Sequence, residues 1–164
     1  MEKTLFVRHI VACVGLTDAR YGGLSVAEHV LTRTGNSPLK FAGELIAESR
    51  QELMERTTAK PGKAPKRWYE LALYRTASDQ YVVAIAYRAE WQGEYNHYEA
   101  VGVSDIQSAV QVFRNYDPIV HVVGFPPREA YAARQARLLT DLRKRYTAQV
   151  TELLNRDEFA EVIS

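Results

Sequence analysis

Few side chains in this sequence have the types and the spacing that metal binding or acid–base chemistry requires. His97 and Glu99 lie two positions apart in a predicted strand, so they share one face, about 7 Å apart at the usual strand rise. With Glu94 nearby they can bind a metal ion, because imidazole and carboxylate groups are zinc ligands. No HExxH or Cys/His motif supports the site, and His29 and His121 have no partner close in sequence. An enzyme or metal site around His97 and Glu99 is therefore the third of three hypotheses.

A cysteine nucleophile finds little support. Cys13 is the only thiol, and it lies in an apolar run from Leu5 to Val14 that predicts a strand buried on both faces. Buried cysteines are usually inert, and His9 is about 13 Å away along the same strand. The chain has no phosphate-binding loop, no G-x-S-x-G motif and no dinucleotide fingerprint. The leading interpretation therefore has no catalytic residue, no metal and no cofactor.

The segment 67–91 is rich in Tyr, Trp and Arg and predicts two strands joined by a short polar turn. Large apolar side chains occupy the odd positions of both strands. Leu71 and Ile85 share a sheet face only if the connecting loop has an odd number of residues. We therefore predict a three-residue loop and a buried odd face. The other face keeps the candidate binding residues Trp68, Tyr74 and Arg88.

Two interpretations of this second face stay open. A flat sheet face that carries rings and arginines stacks unpaired bases in several nucleic-acid-binding folds. The small Ala72, Ala84 and Ala86 between the rings are explained equally well by an element packed close above them. We favour a covered face, with the long C-terminal helix as the cover.

Basic residues are frequent in the first half of that helix. Six of them could contact phosphates, and we single out Arg134, Arg137 and Lys144 as candidate ligand contacts. The bases lie around much of the helix, however, and a solvated polar face is the more common arrangement. Binding of nucleic acid and a simple exposed face are therefore both compatible with the pattern.

The elements around these residues predict an α+β fold. Three strands form a meander over residues 68–103, within an antiparallel sheet of about four to six strands backed by helices. One helix is predicted from Ser104 to about Asn115, where Gln107 completes a capping box, and a long one from Pro127 to about Asn155.

The remaining elements rest on shorter patterns. A capping box and Gly35 predict a helix over residues 25–35. Residues 38–50 fit both a helix and a half-buried strand, and we favour the strand. Residues 117–126 predict a short strand between prolines. Residues 57–67 predict a flexible, basic Pro/Gly loop within a single domain of residues 1–164.

Three short motifs carry a resemblance to a known group: G-E-L-I-A at 43–47, R-W-x-E-L-x-L-Y-R-T at 67–76 and Y-V-V at 81–83. In these motifs the chain resembles a group of short bacterial proteins, many of them on plasmids or other mobile elements. From the first motif to the last, the resemblance spans residues 43–83, about a quarter of the chain. It implies a strand for residues 41–48, and it implies no activity, cofactor or catalytic residue.

Composition and charge argue against some classes of function, such as a membrane protein. The 164 residues carry a net charge of +1, so only a local patch can attract a polyanion. No signal peptide is recognisable and no apolar run approaches the roughly 20 residues of a membrane span, so we expect a cytoplasmic protein without a membrane partner. The first hypothesis is a non-enzymatic binding protein, associated with nucleic acid and a mobile element. The second is a protein-interaction or homodimer module that uses the C-terminal helix.

Overall fold

The computed structural model describes residues 19–21, 24–54 and 66–156. The strand predicted at 5–14, with His9 and Cys13, lies outside these residues, as does most of the loop predicted at 57–67. The described elements are β1 (Ala19–Tyr21), β2 (Leu24–Arg33), β3 (Asn36–Met54), β4 (Lys66–Thr76), β5 (Tyr81–Ala89), β6 (His97–Val103), α1 (Ile106–Asn115), a 3₁₀ turn (Glu129–Tyr131) and α2 (Ala132–Leu154).

Strands β2 to β6 form an antiparallel meander in which each strand pairs with the next one along the chain. The short β1 pairs with the outer edge of β2. The predicted α+β class, the antiparallel sheet and the long C-terminal helix are confirmed. Within the described ranges, no helix combines the length and the apolar character needed to cross a membrane.

The β4–β5 hairpin has the predicted loop and parity. The amide of Thr76 donates to the carbonyl of Gln80 at 2.8 Å, which leaves three residues in the loop. Asp79 has a φ of 62°, the left-handed conformation that commonly closes three-residue hairpin loops. Leu71 consequently lies opposite Ile85, and both are buried in one core.

This main core lies between the odd-numbered face of β4 and β5 and the two helices. From α1 it receives Ala109, Val110 and Phe113. The long helix α2 covers the same face. Its buried side chains are Leu142, Tyr146, Gln149, Val150 and Leu153.

The opposite face, called here the second face, is covered by the β2–β3 hairpin. The sheet curls until the amide of Thr34, in the β2–β3 turn, donates to the carbonyl of Tyr98 on β6 at 2.8 Å. Leu31 of β2 is fully buried in one cluster with Ala72 and Ala84. The prediction of a covered face is confirmed, but the predicted cover is wrong, because α2 packs on the other side of the sheet.

Residues 38–50 form a strand, as favoured, within the 19-residue β3. The register of β3 against β4 shifts between Leu45 and Ala47. Such a bulge moves the side chains after it to the other face of the strand. Phe41, before the bulge, therefore packs in the second face, whereas Ala47, after it, belongs to the main core.

The helix predicted at 25–35 is wrong, because this segment forms β2 and the turn that follows it. Its side chains alternate as in a strand: Leu31 is buried and Thr32 beside it is exposed. Gly35 has a φ of 75° and closes the hairpin turn instead of a helix. A capping box involves only two side chains, and pairing with neighbours on both edges of β2 outweighs it.

Two further predictions are wrong in detail. The N-cap of α1 is Asp105 and not Ser104, because the Asp105 carboxylate accepts a hydrogen bond from the amide of Ser108 at 2.8 Å. Residues 117–126 form turns in place of the predicted strand. Several of their amides already have partners, as in the contacts from Val122 to the Ile119 carbonyl at 3.1 Å and from Gly124 to the side chain of Glu94, and so are not free for a ladder.

Candidate metal centre

The aromatic residues predicted to bind a ligand lie inside the second face. Trp68 is 7% exposed and Tyr74 is 4% exposed. The indole N–H of Trp68 donates to Glu70 Oε1 at 2.9 Å. The guanidinium groups of Arg50 and Arg88 lie 5.4 Å and 5.7 Å from the centre of the indole. Both rings are packed within the protein, so neither offers an open surface on which a base can stack.

The predicted basic residues fall into separate groups. Arg88, on the second face, is half-buried and donates to the hydroxyl of Tyr98 at 2.7 Å. Arg134, Arg137 and Lys144 are exposed on α2, which packs against the opposite side of the sheet. The structure therefore does not bring the six predicted binding residues into one site.

Three potential metal ligands do come together beside β6. His97 and Glu99 lie on that strand, and His121 comes from the turns that follow α1. The Nε2 atom of His97 is 3.3 Å from Glu99 Oε1, and the Nε2 atom of His121 is 3.9 Å from the same oxygen. The two imidazoles are stacked, with ring centroids 3.5 Å apart and planes inclined by 25°. One ligand atom from each residue lies within 4.8 Å of the other two.

These separations resemble those around a bound ion. Two ligand atoms, each about 2.0–2.1 Å from a tetrahedral zinc ion, lie about 3.4 Å apart. The His97–Glu99 separation of 3.3 Å already matches this value. His121 Nε2 lies 3.9 Å from Glu99 Oε1, and a movement of about half an ångström would bring this separation to the same value. The third separation, between the ligand atoms of the two histidines, is at most 4.8 Å.

The protonation state of His121 also suits a ligand. Burial lowers the pKa of this imidazole, and the adjacent His97 lowers it further, although Glu99 acts in the opposite direction. The net effect favours the neutral ring, which is the form that binds a metal. Its Nε2 atom is buried and accepts or donates no hydrogen bond among the described residues. A metal ion would satisfy this nitrogen.

Glu94, expected to join His97 and Glu99, is engaged elsewhere. Its Oε2 accepts from Arg67 Nε at 2.8 Å and from the hydroxyl of Tyr87 at 2.5 Å, and its Oε1 accepts from Arg67 Nη2 at 2.6 Å. Arg67 belongs to β4 and is buried, so it lies in the strand predicted from residue 67 and is not part of the flexible basic loop. The place given to Glu94 is taken by His121.

Sequence reasoning missed His121, which lies 22 positions after Glu99. No spacing motif connects them, since separate elements supply the two side chains. The available signal was a histidine in a segment bounded by Pro118 and Pro126, because loops between rigid elements often carry functional residues.

Comparison with known proteins gives no further identification. No protein-family model, curated protein or solved structure significantly matches this chain.

Proposed function

We propose that this protein binds a divalent transition-metal ion through His97, Glu99 and His121, with Zn²⁺ as the first candidate. The observation that carries the proposal is the convergence of two imidazole nitrogens on one carboxylate oxygen, at 3.3 Å and 3.9 Å. Two imidazoles and one carboxylate favour zinc, iron or another first-row ion over Mg²⁺ and Ca²⁺, which prefer oxygen ligands.

The ligand set also suggests what the ion does. Three protein ligands leave one position of a tetrahedral zinc ion for water or another exchangeable ligand, as in catalytic rather than structural zinc sites. One carboxylate and two neutral imidazoles leave a net charge of +1 on the bound zinc. Such a centre attracts a small anion or activates its bound water.

Metal titration tests this proposal. We expect one equivalent of Zn²⁺ or Co²⁺ to bind the purified protein, measured by calorimetry and by the visible absorption of Co²⁺. His121→Ala should weaken binding at least about 100-fold. Loss of an outer-shell group already lowers metal affinity about 10–100-fold, and this variant loses a ligand itself. Asp141→Asn, an exposed acid on α2, is the control and should leave binding unchanged.

Two results would contradict the metal site. Absence of stoichiometric binding to the wild-type protein is the first, and it would leave His97, Glu99 and His121 as neighbouring side chains without a bound ion. Binding that persists unchanged in both His121→Ala and Glu99→Gln is the second, since it would place the ion elsewhere.

A second candidate function is nucleic-acid binding, as expected for a cytoplasmic accessory protein of a mobile element. It is supported by Arg134, Arg137 and Lys144, which are exposed and spaced to share one side of α2. Within the part of the chain that the structure describes, none of them lies within 4.0 Å of an acid. Asp141 lies on the same side and reduces the local charge.

Fluorescence anisotropy with single- and double-stranded oligonucleotides tests this second candidate. If the three basic side chains contact phosphates, changing all three to Ala should reduce the magnitude of the slope of log K against log salt by roughly 2–3. Arg143→Ala, an exposed base elsewhere around α2, should change it less. If the protein binds no oligonucleotide and its molecular mass in solution rises with protein concentration, a homodimer through α2 would be favoured over nucleic-acid binding.

A further inference from the structure

We propose that the buried Arg67–Glu94 pair positions His121 for metal binding, an inference that rests on the proposed metal site. His121 lies between Ile119 and Gly124 in turns, without the support of a helix or a strand. Contacts from outside this segment must therefore fix the position of its imidazole. The structure has such contacts at both ends.

The first contact is at the start of the segment. The hydroxyl of Tyr69, a buried residue of β4, donates to the carbonyl of Pro118. The second contact is at the end, where the amide of Gly124 donates to Glu94 Oε1 at 3.1 Å. His121 is thus held between two points that are both anchored to the sheet.

The carboxylate at the second point is itself firmly held. Glu94 and Arg67 have side chains only 1% and 2% exposed, and they form a bidentate ion pair. Burial alone raises the pKa of the Glu94 carboxyl, but hydrogen bonds from Arg67, Tyr87 and the Gly124 amide outweigh it and keep the pKa below its usual value. The indole of Trp91 lies 4.4 Å from the Arg67 guanidinium and closes the network.

The same network reaches His97 through Tyr87. This residue is the cross-strand partner of His97 on β6, and its ring lies 6.3 Å from that of His121. Its hydroxyl donates to Glu94. One carboxylate therefore connects β5, the strand paired with the one that carries His97, to the turns that carry His121.

A purely structural role explains this arrangement less well. The desolvation penalty of a buried ion pair offsets most of its attraction, so the pair adds little net stability compared with apolar residues of the same size. Its geometric effect is specific, because it fixes two segments relative to one another. Outer-shell groups that orient ligands typically change metal affinity 10–100-fold when they are removed.

The experiment compares Co²⁺ binding in the wild-type protein, Glu94→Gln and Tyr87→Phe, by affinity and by visible spectrum. Glu94→Gln should bind about 10–100-fold more weakly. Its Co²⁺ spectrum should approach that of His121→Ala, because both lose the same ligand. Tyr87→Phe removes one hydrogen bond to Glu94 and should lower the affinity about 3–10-fold, a smaller effect that keeps the test valid if Glu94→Gln does not fold.

Tyr146→Phe is the matched control. Tyr146 is as buried as Tyr87, and its hydroxyl donates to the carbonyl of Phe113 at 2.7 Å, outside the segment that carries His121. It should lower the thermal midpoint without changing Co²⁺ affinity or spectrum. Equal losses of affinity in Tyr146→Phe and Tyr87→Phe would overturn the inference.

The remaining outcomes separate the two proposals. Wild-type protein that binds no metal overturns the metal site and this inference together. Wild-type binding that is unchanged in Glu94→Gln and Tyr87→Phe overturns only the positioning role. Weaker binding with an unaltered Co²⁺ spectrum also overturns it, because His121 would then still be coordinated.

Discussion

His29 is held between two aromatic rings in the second face. Its ring centroid lies 5.1 Å from that of Phe41 and 4.8 Å from that of Tyr74. Its Nε2 atom contacts the carbonyl of Gly43 at 3.1 Å, whereas its Nδ1 atom is buried without a hydrogen-bond partner among the described residues. Burial lowers the pKa of His29, against the smaller raising effect of the Gly43 carbonyl. The neutral ring is therefore the form that fits this position.

This state of His29 predicts a loss of stability on acidification. The unfolded chain takes up a proton near pH 6.5 but the folded ring only at lower pH, so the free energy of unfolding falls as the pH drops below 6.5. The slope from one proton is at most about 1.4 kcal/mol per pH unit. Urea denaturation of the wild-type protein and His29→Gln between pH 7 and 5 measures it.

The difference between the two pH profiles isolates His29. Glu94 stays ionised over this window, because its pKa lies below the usual value near 4.5. Glutamine keeps a hydrogen-bond donor but has no proton to gain. Identical pH dependence in the two proteins would show that His29 does not titrate differently on folding.

Local spacing predicted correctly that His97 and Glu99 lie together, but not that His121 joins them. His97 and Glu99 share a face because a strand repeats every two residues, and their side chains lean together to 3.3 Å. His121 lies beside Glu99 through a contact between residues 22 positions apart, which local spacing cannot predict. The same limit explains Trp68, whose indole was placed on the correct face but whose burial depends on the rest of the sheet.

At the scale of elements, β3 is the strand that connects the two layers. It pairs with β2 along one part and with β4 along another, and a bulge between Leu45 and Ala47 changes the face of its side chains. Gly43 lies where β3 crosses close to β4. A Cβ added there would overlap the backbone carbonyl oxygen of Arg75, so only glycine permits this approach.

Gly43→Ala should therefore destabilise the protein. The clash is with backbone, which cannot move without displacing β4, and overpacking of this kind costs about 1–3 kcal/mol. Gly102→Ala on β6 is the matched control, because an added Cβ meets no atom within 4 Å there. It should lie within about 0.5 kcal/mol of the wild type. Equal unfolding free energies for both variants in urea titrations would contradict the assigned β3–β4 register.

The segments that sequence reasoning assigned wrongly share a cause. The helix at 25–35 rested on a capping box and a glycine, which describe only the ends of an element. The strand at 117–126 rested on an apolar run, but Val120 and Val123 of this run are exposed in turns. By contrast, β4 and β5 were assigned from alternation over many residues, and there the pattern, the loop length and the buried face were confirmed.

At the scale of the whole molecule, the curl of the sheet decides where each surface lies. The β2–β3 hairpin reaches β6 through Thr34 and closes the second face, so α2 is free to cover the main core. The turns after α1 are then held against the sheet by Tyr69 and Glu94. These long-range contacts bring His121 to His97.

The sequence by itself determined the α+β class, the meander, the parity of the β4–β5 hairpin and the pairing of His97 with Glu99. All of these follow from periodicities of two and of about 3.6 residues, which are local properties of the backbone. Only the tertiary structure decided that a hairpin covers the second face, that Glu94 binds Arg67 and that His121 lies beside His97 and Glu99. Each of these contacts joins residues distant in the chain, and their proximity depends on the packing of every element between them.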